Sequence, residues 1–431
     1  MQHLLHKPLL IGLGIALITG VVGLPGPVHA VVGTGLMQHA RQSIARQKIR
    51  VRRLSAPFRV PKGLEAPVAF WRDIYSAYDR NHVVLHDMDA LEIIYDVVDL
   101  SDISPDIDPF APYPPDVQKA RLARVEEAME RVRRSLKRLA ENPGRRDITP
   151  FERKTVRLFQ QIPGGPEKYA AASGPRRLRS QTGLSNRFRA GIVASGKYLA
   201  QIEAVFAEGA MPWEVTRLVF VESMFDLRAY SKVGASGIWQ FMPGTARMMG
   251  LTMNQTIDER NDPLAATRAA ARLLKSNYAA LGTWPLAINA YNAGPGRLKQ
   301  AVRTLGTTSI ARIVREFSHP GYQFASRNFF PEFLAALEVF ENRQKLFGNI
   351  PVAPPLRFDT VVVEKSVVLP HVATQTKVPL ETLWELNPGY SAAIYTGRQS
   401  LPAGYALKVP QKSGRAFLAA MNQQPDAIAQ Q

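Results

Sequence analysis

Cysteine is absent from all 431 residues of the chain. Its absence excludes disulfide cross-links, thiolate zinc sites and cysteine nucleophiles. It also excludes an N-terminal lipid attached through a cysteine. Small disulfide-stapled scaffolds and cysteine-dependent enzymes are therefore ruled out as classes.

Acidic residues are scarce relative to basic ones. Lys and Arg total 54 against 36 Asp and Glu, so the formal net charge is +18. A protein this basic is attracted to polyanions, which include nucleic acid, anionic lipid and an anionic cell wall. The basic run at 176–179 lacks the interleaved aromatic residues of a single-strand binder, so nucleic acid is not expected as a partner.

Long apolar runs are also scarce, and the clearest one lies near the N-terminus. Lys7 precedes an apolar run from Leu9 to Leu24, and Val28-His29-Ala30 supplies small residues for cleavage. The run is shorter than the roughly 20 residues that span a bilayer. We therefore predict a signal peptide over 1–30 and export to the periplasm of a bacterial cell envelope. An uncleaved, membrane-associated anchor is the alternative.

The first half of the mature chain has mixed patterning. Residues 31–62 are predicted to form a basic linker. The alternative interpretation is that this segment contacts an anionic wall or membrane surface. Residues 63–183 are predicted to be an accessory region of helices plus a hairpin, the hairpin lying within 82–98. A long helix is predicted over Val117–Glu141, capped by Asp116.

The second half is predominantly helical. Helices are predicted at 149–162 and 184–208, and then one after another through 347. A proline-rich linker is predicted over 348–357. The small module that follows, at 358–410, is predicted to have the order strand, helix, helix, strand. Residues 411–431 are polar and are predicted to be disordered. The predicted fold class is mainly α.

No cofactor or metal site is expected. Asp102, Asp106 and Asp108 are spaced like calcium ligands, but the central glycine and the closing glutamate of a calcium loop are missing. We predict that this stretch is a surface loop.

Glu222 is the residue best placed for acid–base chemistry. It ends an apolar segment, with Val219, Phe220, Val221, Met224 and Phe225 around it. Apolar burial and a helix C-terminus both raise the pKa of a carboxyl group, and a general acid must still be protonated near neutral pH. The alternative interpretation is a helix-end glutamate paired with Arg217 or Arg228.

A general acid such as Glu222 is typical of glycosidases, and most glycosidases need a second carboxylate as base or nucleophile. Asp226 is the nearest candidate in sequence. It lies where the chain turns out of the helix, a position at which Asp commonly caps backbone amides. We therefore predict a structural role for Asp226.

Three boxes in a fixed order carry a specific resemblance. They are Glu222-Ser223, the segment 234–245 with Gln240 at its centre, and Ala290-Tyr291-Asn292-Ala293-Gly294. Their order and spacing resemble those of the family 1 lytic transglycosylases, which have a goose-lysozyme-like fold. Residues 257–263 and 324–331 are more similar to a membrane-bound subgroup of that family.

The resemblance implies a lysozyme-like catalytic domain over 184–347 and a role for each matching residue. Glu222 would donate a proton to the bond between N-acetylmuramic acid and N-acetylglucosamine and then, as a base, take one from the C6 hydroxyl. That hydroxyl would close on C1 and leave a 1,6-anhydro end. The resemblance assigns substrate contacts to Ser223, Gln240, Tyr291 and Asn292, and peptidoglycan strands as the partner.

One departure from the family pattern concerns an aromatic residue. The family often has a tyrosine where this chain has Phe329 and Phe330, and Tyr322 is the residue that could substitute for it.

The module at 358–410 resembles a degenerate LysM domain, a sugar-binding βααβ fold. Trp384 and Tyr390 are either sugar-stacking or core residues.

Two alternatives to this function stay open. A hydrolytic, lysozyme-type muramidase would share the fold but use water. A non-catalytic cell-wall-binding protein would retain the fold without the reaction.

Overall fold

The computed structural model describes residues 54–423. The predicted signal peptide, residues 31–53 of the predicted linker and residues 424–431 of the predicted tail lie outside this range. Within it, the chain is mainly helical, as predicted, with two small antiparallel sheets. No helix among residues 54–423 is both long enough and apolar enough to cross a membrane.

The accessory region is built on a three-stranded sheet of order β2-β1-β3. Its elements are α1 (Glu65–Ser76), β1 (His82–Asp87), β2 (Ile94–Asp99), α2 (Pro115–Glu141), α3 (Pro150–Leu158), α4 (Glu167–Ala172) and β3 (Leu178–Thr182). The predicted hairpin is confirmed, with Val83 opposite Val98. β3 pairs antiparallel with the other edge of β1 and places Val83 opposite Thr182.

Strand β1 connects two hydrophobic cores through its period-two alternation. Val83 and Leu85 face an accessory core that also contains Val132 and Leu136 of α2. Val84 faces the opposite side and belongs to the main core of the molecule. The accessory sheet is therefore packed against the helical domain rather than joined to it by a free linker.

Helix α1 belongs to the main core, although the sequence places it in the accessory region. Its buried residues Val68, Trp71, Ile74 and Tyr75 pack within that core, and its main partner is α13 (Phe324–Glu341). Phe58 is also buried there, so residues 54–62 of the predicted linker are partly core. The division of cores therefore does not follow the predicted boundary at residue 183.

The helical domain surrounds the main core. Its helices are α5 (Ser185–Ser195), α6 (Leu199–Glu208), α7 (Leu218–Glu222), α8 (Pro243–Met248), α9 (Pro263–Leu281), α10 (Trp284–Ala293), α11 (Pro295–Leu305), α12 (Ile310–Glu316), α13 and α14 (Arg343–Phe347). Asp262 caps α9 by accepting hydrogen bonds from the backbone amides of Leu264 and Ala265, each 2.9 Å long.

Two predicted helix details are corrected. The helix predicted over 184–208 breaks near Gly196, where an added Cβ would lie 2.1 Å from the carbonyl oxygen of Ala353. The break lets the segment that contains Ala353 pass close to Gly196. At the long helix, Asp116 is not the cap. The helix begins one residue earlier, at Pro115, so Asp116 lies in its first turn.

The C-terminal module has its own core. Its elements are β4 (Phe358–Val362), α15 (Leu369–Thr376), α16 (Leu380–Leu386), α17 (Ala392–Tyr395), β5 (Ala406–Pro410) and α18 (Gly414–Gln423). The predicted order of strand, helix, helix, strand holds, with α17 added before β5. The prediction of disorder from 411 is wrong for α18, because Phe417 and Met421 are buried in the module core.

Candidate active site

Helix α7 ends at Glu222, as the sequence predicts, and the chain then turns sharply. Met224 and Phe225 have left-handed backbone conformations, with φ of 54° and 62°. Such conformations cost about 1–3 kcal/mol each in non-glycine residues. Both side chains are buried in the main core, which holds the turn in place. The strained turn fixes the direction in which Glu222 leaves its helix.

Glu222 opens on a cavity of about 870 Å³ between the accessory region and the helical domain. Residues of α1, α5, α10 and α13 line it together with Glu222. Residues of α2, of strand β3 and of the loop before α2 line it as well. A cavity of this size lies within the range expected for a ligand site.

The environment of Glu222 suits a general acid. The side chain keeps part of its surface open to the cavity and is otherwise enclosed. Burial raises the pKa of Glu222 to about 8, and the carboxyl of Glu332 acts in the same direction. The group therefore keeps its proton at neutral pH. Its carboxyl group forms no hydrogen bond with any residue of the range 54–423, so the proton is not committed to a protein partner.

The arginine pairing considered from the sequence is not found. Arg217 lies 2.7 Å from Glu203 and 3.6 Å from Glu341. Arg228 lies over the ring of Trp384, 4.9 Å from its centroid. Neither arginine therefore neutralises Glu222.

A second carboxyl, the half-buried Glu332 on α13, lines the same cavity. Burial raises its pKa to about 8, and a hydrogen bond with Tyr75 of α1 acts in the opposite direction. Sequence reasoning missed Glu332, because it lies 110 positions beyond Glu222 and no local pattern marks it. Only the packing of α13 against α1 and α7 brings it to the site.

Asn292 and Tyr291 reach the site from the end of α10, but in different ways. Asn292 lines the cavity, and its Oδ1 accepts a hydrogen bond of 2.8 Å from the Ser326 hydroxyl, which orients the amide. The Tyr291 hydroxyl donates to the backbone oxygen of Trp239 at 2.8 Å. Burial, together with the charge of Glu222, raises the pKa of Tyr291 well above its usual value. Tyr291 is therefore close to Glu222 while its hydroxyl hydrogen is engaged by the backbone.

Ser223 and Gln240 do not line this cavity. The Ser223 hydroxyl donates to the backbone oxygen of Ile238 at 2.9 Å and so ties the end of α7 to the glycine-rich turn. The Gln240 amide nitrogen donates to the backbone oxygens of Gly237 and Ala229, at 2.9 and 3.1 Å. Both side chains hold together the framework beneath Glu222, and their predicted substrate contacts remain predictions.

Asp226 takes the structural place that the sequence predicts. Its Oδ1 accepts a hydrogen bond of 2.9 Å from the backbone amide of Arg228, and its side chain is absent from the cavity lining. Within residues 54–423 no cluster of His, Asp and Glu side chains is arranged to hold a metal ion.

Comparison with known proteins finds two domain matches in the chain. Residues 201–314 match the transglycosylase SLT domain, and residues 357–425 match the LysM-like domain of the lytic transglycosylase MltD. The chain carries an SLT domain followed by an MltD-type LysM-like domain. The SLT match contains Glu222, Gln240 and Tyr291-Asn292, so the three sequence boxes lie inside one domain.

Curated relatives share parts of this arrangement. The chain is 30% identical over 194 residues to membrane-bound lytic murein transglycosylase D of Escherichia coli K12, covering 44% of this chain and 42% of that protein. It is 32% identical over 109 residues to a putative tributyltin chloride resistance protein of an Alteromonas species, covering 25% of this chain and 53% of that one. The chain thus spans less than half the length of the first of these relatives.

The aromatic departure noted in the sequence has a defined place on helix α13. Phe329 lines the cavity, and its ring stacks on Tyr291 with a centroid separation of 6.4 Å and an interplanar angle of 6°. Phe330 is fully buried. Tyr322 does not substitute for the missing hydroxyl, because it is buried and donates to Oδ1 of Asn289 at 2.9 Å. The wall beside Tyr291 is therefore apolar.

The LysM-like domain docks against the SLT domain. Its Gly389 oxygen accepts a 2.8 Å hydrogen bond from the Asp258 amide. The Lys408 ammonium is paired with Asp262, the cap of α9. Tyr390 is buried, and its hydroxyl donates to the Ala406 oxygen at 2.7 Å, so it is a core residue. Trp384 is half-buried beneath Arg228.

Proposed function

We propose that the chain is a peptidoglycan lytic transglycosylase. It would cleave the β-1,4 bond between N-acetylmuramic acid and N-acetylglucosamine without water and leave 1,6-anhydro-muramoyl ends. The observation that carries this proposal is Glu222, a carboxyl group with a pKa of about 8 that opens on a large cavity in a lytic-transglycosylase domain.

Glu222 would act twice in one reaction. First it donates its proton to the bridging oxygen, and the bond from that oxygen to C1 of the muramoyl sugar breaks. The carboxylate then takes the proton of the C6 hydroxyl, and the C6 oxygen forms a bond to C1. Glu222 ends protonated, so one residue serves as acid and then as base.

The positive charge that develops on the sugar ring has two sources of stabilisation. One is the substrate's own acetamido group. The other is the negative end of α7, which terminates at Glu222 and points its carbonyl dipoles toward the site. The Asn292 amide nitrogen, with its oxygen held by Ser326, supplies a donor in the cavity wall for positioning the sugar.

A hydrolytic muramidase is the second candidate, and one observation favours it. Glu332 provides a second carboxyl in the same cavity, and hydrolysis by the inverting route uses a second carboxylate to activate water. At neutral pH, however, burial keeps Glu332 largely protonated and poorly suited to act as a base. We therefore prefer the non-hydrolytic reaction.

Peptidoglycan as substrate fits a chain with an SLT domain and a LysM-like domain. We also propose that the protein works in the bacterial envelope after export, where its net charge of +18 favours an anionic wall.

The test is digestion of purified sacculi by the parent protein and by Glu222→Gln. We expect the parent to release products with anhydro-muramoyl ends and the variant to lose at least about 100-fold in rate, the usual contribution of a general acid. Reducing ends would instead indicate hydrolysis. Equal clearance by parent and variant would leave a wall-binding role as the surviving hypothesis.

A further inference from the structure

The cavity that contains Glu222 has a strongly basic lining. Five basic side chains line it, Arg80, Lys119, Arg121, Arg187 and Lys232, whereas its acidic lining residues are Glu222 and Glu332. Burial keeps both carboxyls largely uncharged at neutral pH, since each pKa is about 8. A concave site lined by charge of one sign concentrates ligands of the other sign.

Two of these arginines are fixed against one aromatic ring. The guanidinium carbons of Arg80 and Arg121 lie 3.8 and 4.1 Å from the centroid of the Tyr113 ring. Arg80 donates to the backbone oxygens of Asp108 and Ala111 at 2.7 and 2.9 Å, and Arg121 donates to the backbone oxygen of Arg80 at 2.6 Å. The loop before α2 therefore holds both charges rigidly in the cavity wall.

Arg187, on helix α5, belongs to the same group of arginines. Its Nε donates to the backbone oxygen of Pro109 at 2.8 Å. Its two terminal nitrogens form no hydrogen bond with any described residue, 54 to 423. Their N–H groups are therefore available to an incoming acceptor.

None of the three guanidinium groups forms an ion pair with a carboxylate in the described part of the chain. Burial lowers the pKa of Arg121 and of Arg187, and the charge of Arg80 acts in the same direction on both. Arg80 is only 7% exposed, and its Nε lacks any hydrogen-bond partner. The carboxylates that act on these arginines from farther away are Asp79 on Arg121, and Asp108 and Asp226 on Arg187. None of them lies within ion-pair distance, so the cluster keeps the capacity to bind an anion directly.

We propose that Arg187, together with Arg80 and Arg121, forms a subsite for a carboxylate of the peptide stem of the glycan strand. This inference rests on the proposed function. Guanidinium groups bind carboxylates through paired, charge-assisted hydrogen bonds, and the terminal nitrogens of Arg187 provide that geometry. In a peptide-bearing strand the lactyl group of the muramoyl sugar is amide-linked and uncharged, so the carboxylates left are those of the peptide.

The position of the subsite agrees with this assignment. Glu222 and Asn292, where the sugar ring is expected, and the three arginines line the same cavity of about 870 Å³. A stem attached to a sugar at Glu222 would therefore share the cavity with the arginines. The accessory region thereby gains a function, which is to recognise the peptide while the SLT domain cleaves the glycan.

The test measures binding of a free stem tetrapeptide and of the same peptide with every carboxylate amidated, by calorimetry on the full chain. We expect the parent to bind the charged peptide more tightly, and Arg187→Gln to weaken that binding by about tenfold, the value of one charge-assisted contact. Arg189→Gln is the matched control, since Arg189 is exposed on the same helix and does not line the cavity. It should leave both affinities unchanged.

Arg187→Gln also removes the Nε bond to Pro109, so its unfolding midpoint is measured alongside. Lys232→Gln, at an exposed lining residue, is the second variant. We expect it to weaken binding of the charged peptide by about two- to threefold. Equal binding of charged and amidated peptides by the parent, or an unchanged affinity in both variants, would overturn the subsite. Neither result depends on bond cleavage, so a failure of the subsite is separate from a failure of the proposed reaction.

Discussion

At the scale of single residues, the chemistry depends on a carboxyl group that the fold keeps protonated. The sequence predicted this for Glu222, because the apolar neighbours and the helix end are both local features. It could not predict Glu332 or its contact with Tyr75, since these depend on α1 and α13 packing beside α7. The family resemblance assigned substrate contacts to Ser223 and Gln240, and these contacts stay predictions; the hydrogen bonds of both side chains connect backbone segments.

Removing the carboxyl of Glu222 should stabilise the protein at alkaline pH. The pKa of Glu222 is about 8 in the folded chain against 4.5 in the unfolded one, so the folded protein holds a proton that the unfolded chain releases between these values. The stability that this bound proton contributes is fully present below pH 4.5 and is lost as the pH rises to about 8. Glu222→Gln avoids this loss.

Denaturant unfolding at the two ends of this pH range checks the effect. The free energy of unfolding of Glu222→Gln should exceed that of the parent by on the order of 1 kcal/mol or more at alkaline pH, and by much less at acidic pH. If the two proteins differ in free energy of unfolding by the same amount at alkaline and at acidic pH, Glu222 is not held protonated by burial.

The charge of Glu332 should set the alkaline limit of activity. Burial favours the neutral form of Glu332 and raises its pKa to about 8, whereas the Tyr75 hydrogen bond favours the ionised form. As Glu332 ionises at alkaline pH, its negative charge raises the pKa of Glu222. The other titratable groups that interact with the pair are Tyr75 of α1 and Tyr291 of α10. Glu332→Gln removes the charge and so lowers the pKa of Glu222. We expect the falling limb of kcat/KM to move to lower pH.

The matched control for this shift is Glu338→Gln. Glu338 lies on the same helix, away from the cavity, 3.6 Å from Arg72. It should leave the pH profile unchanged. If Glu332→Gln lowers the rate equally at every pH, Glu332 affects the fold and not the proton affinity of Glu222.

At the scale of elements, the site depends on the left-handed turn after α7. Gly191 of α5 lies directly against it, and an added Cβ there would lie 2.7 Å from the backbone oxygen of Met224. The existence of α7 and its end could be predicted from the sequence. The left-handed conformation of the turn could not, because Met224 and Phe225 are not residues that favour positive φ.

Gly191→Ala should therefore displace Glu222. A misplacement of about 1 Å can cost about 100-fold in rate, so we expect kcat/KM to fall by about 10–100-fold on sacculi. Gly244→Ala in α8 is the control, since an added Cβ meets no atom within 4 Å. It should retain full activity. Full activity of Gly191→Ala would show that the turn does not position the acid.

At the scale of the whole molecule, the three regions form one connected unit. The predicted linker at 348–357 is held to helix α5 by the Ala353 amide, which donates to the Val193 oxygen at 2.9 Å. The sequence predicted the module and the proline-rich segment from composition. It could not predict docking, because the ion pair between Lys408 and Asp262 joins residues 146 positions apart.

Lys408→Gln should destabilise the chain as a whole. It leaves Asp262, a partly buried carboxylate, without its cation, and the cost of breaking such a pair is about 1–3 kcal/mol. We expect a single calorimetric transition that moves to lower temperature, with Lys412→Gln, an exposed lysine, unchanged. Two transitions, of which the smaller alone moves, would indicate that the module folds independently.

The most direct test of the central claim is digestion of sacculi in water enriched in ¹⁸O, followed by mass spectrometry of the released muramoyl ends. If Glu222 takes its second proton from the C6 hydroxyl, the products are anhydro sugars that contain no ¹⁸O, and Glu332→Gln gives the same products. One ¹⁸O atom in each new muramoyl end would show that water attacks C1, which contradicts the role of Glu222 as acid and then base toward the C6 hydroxyl.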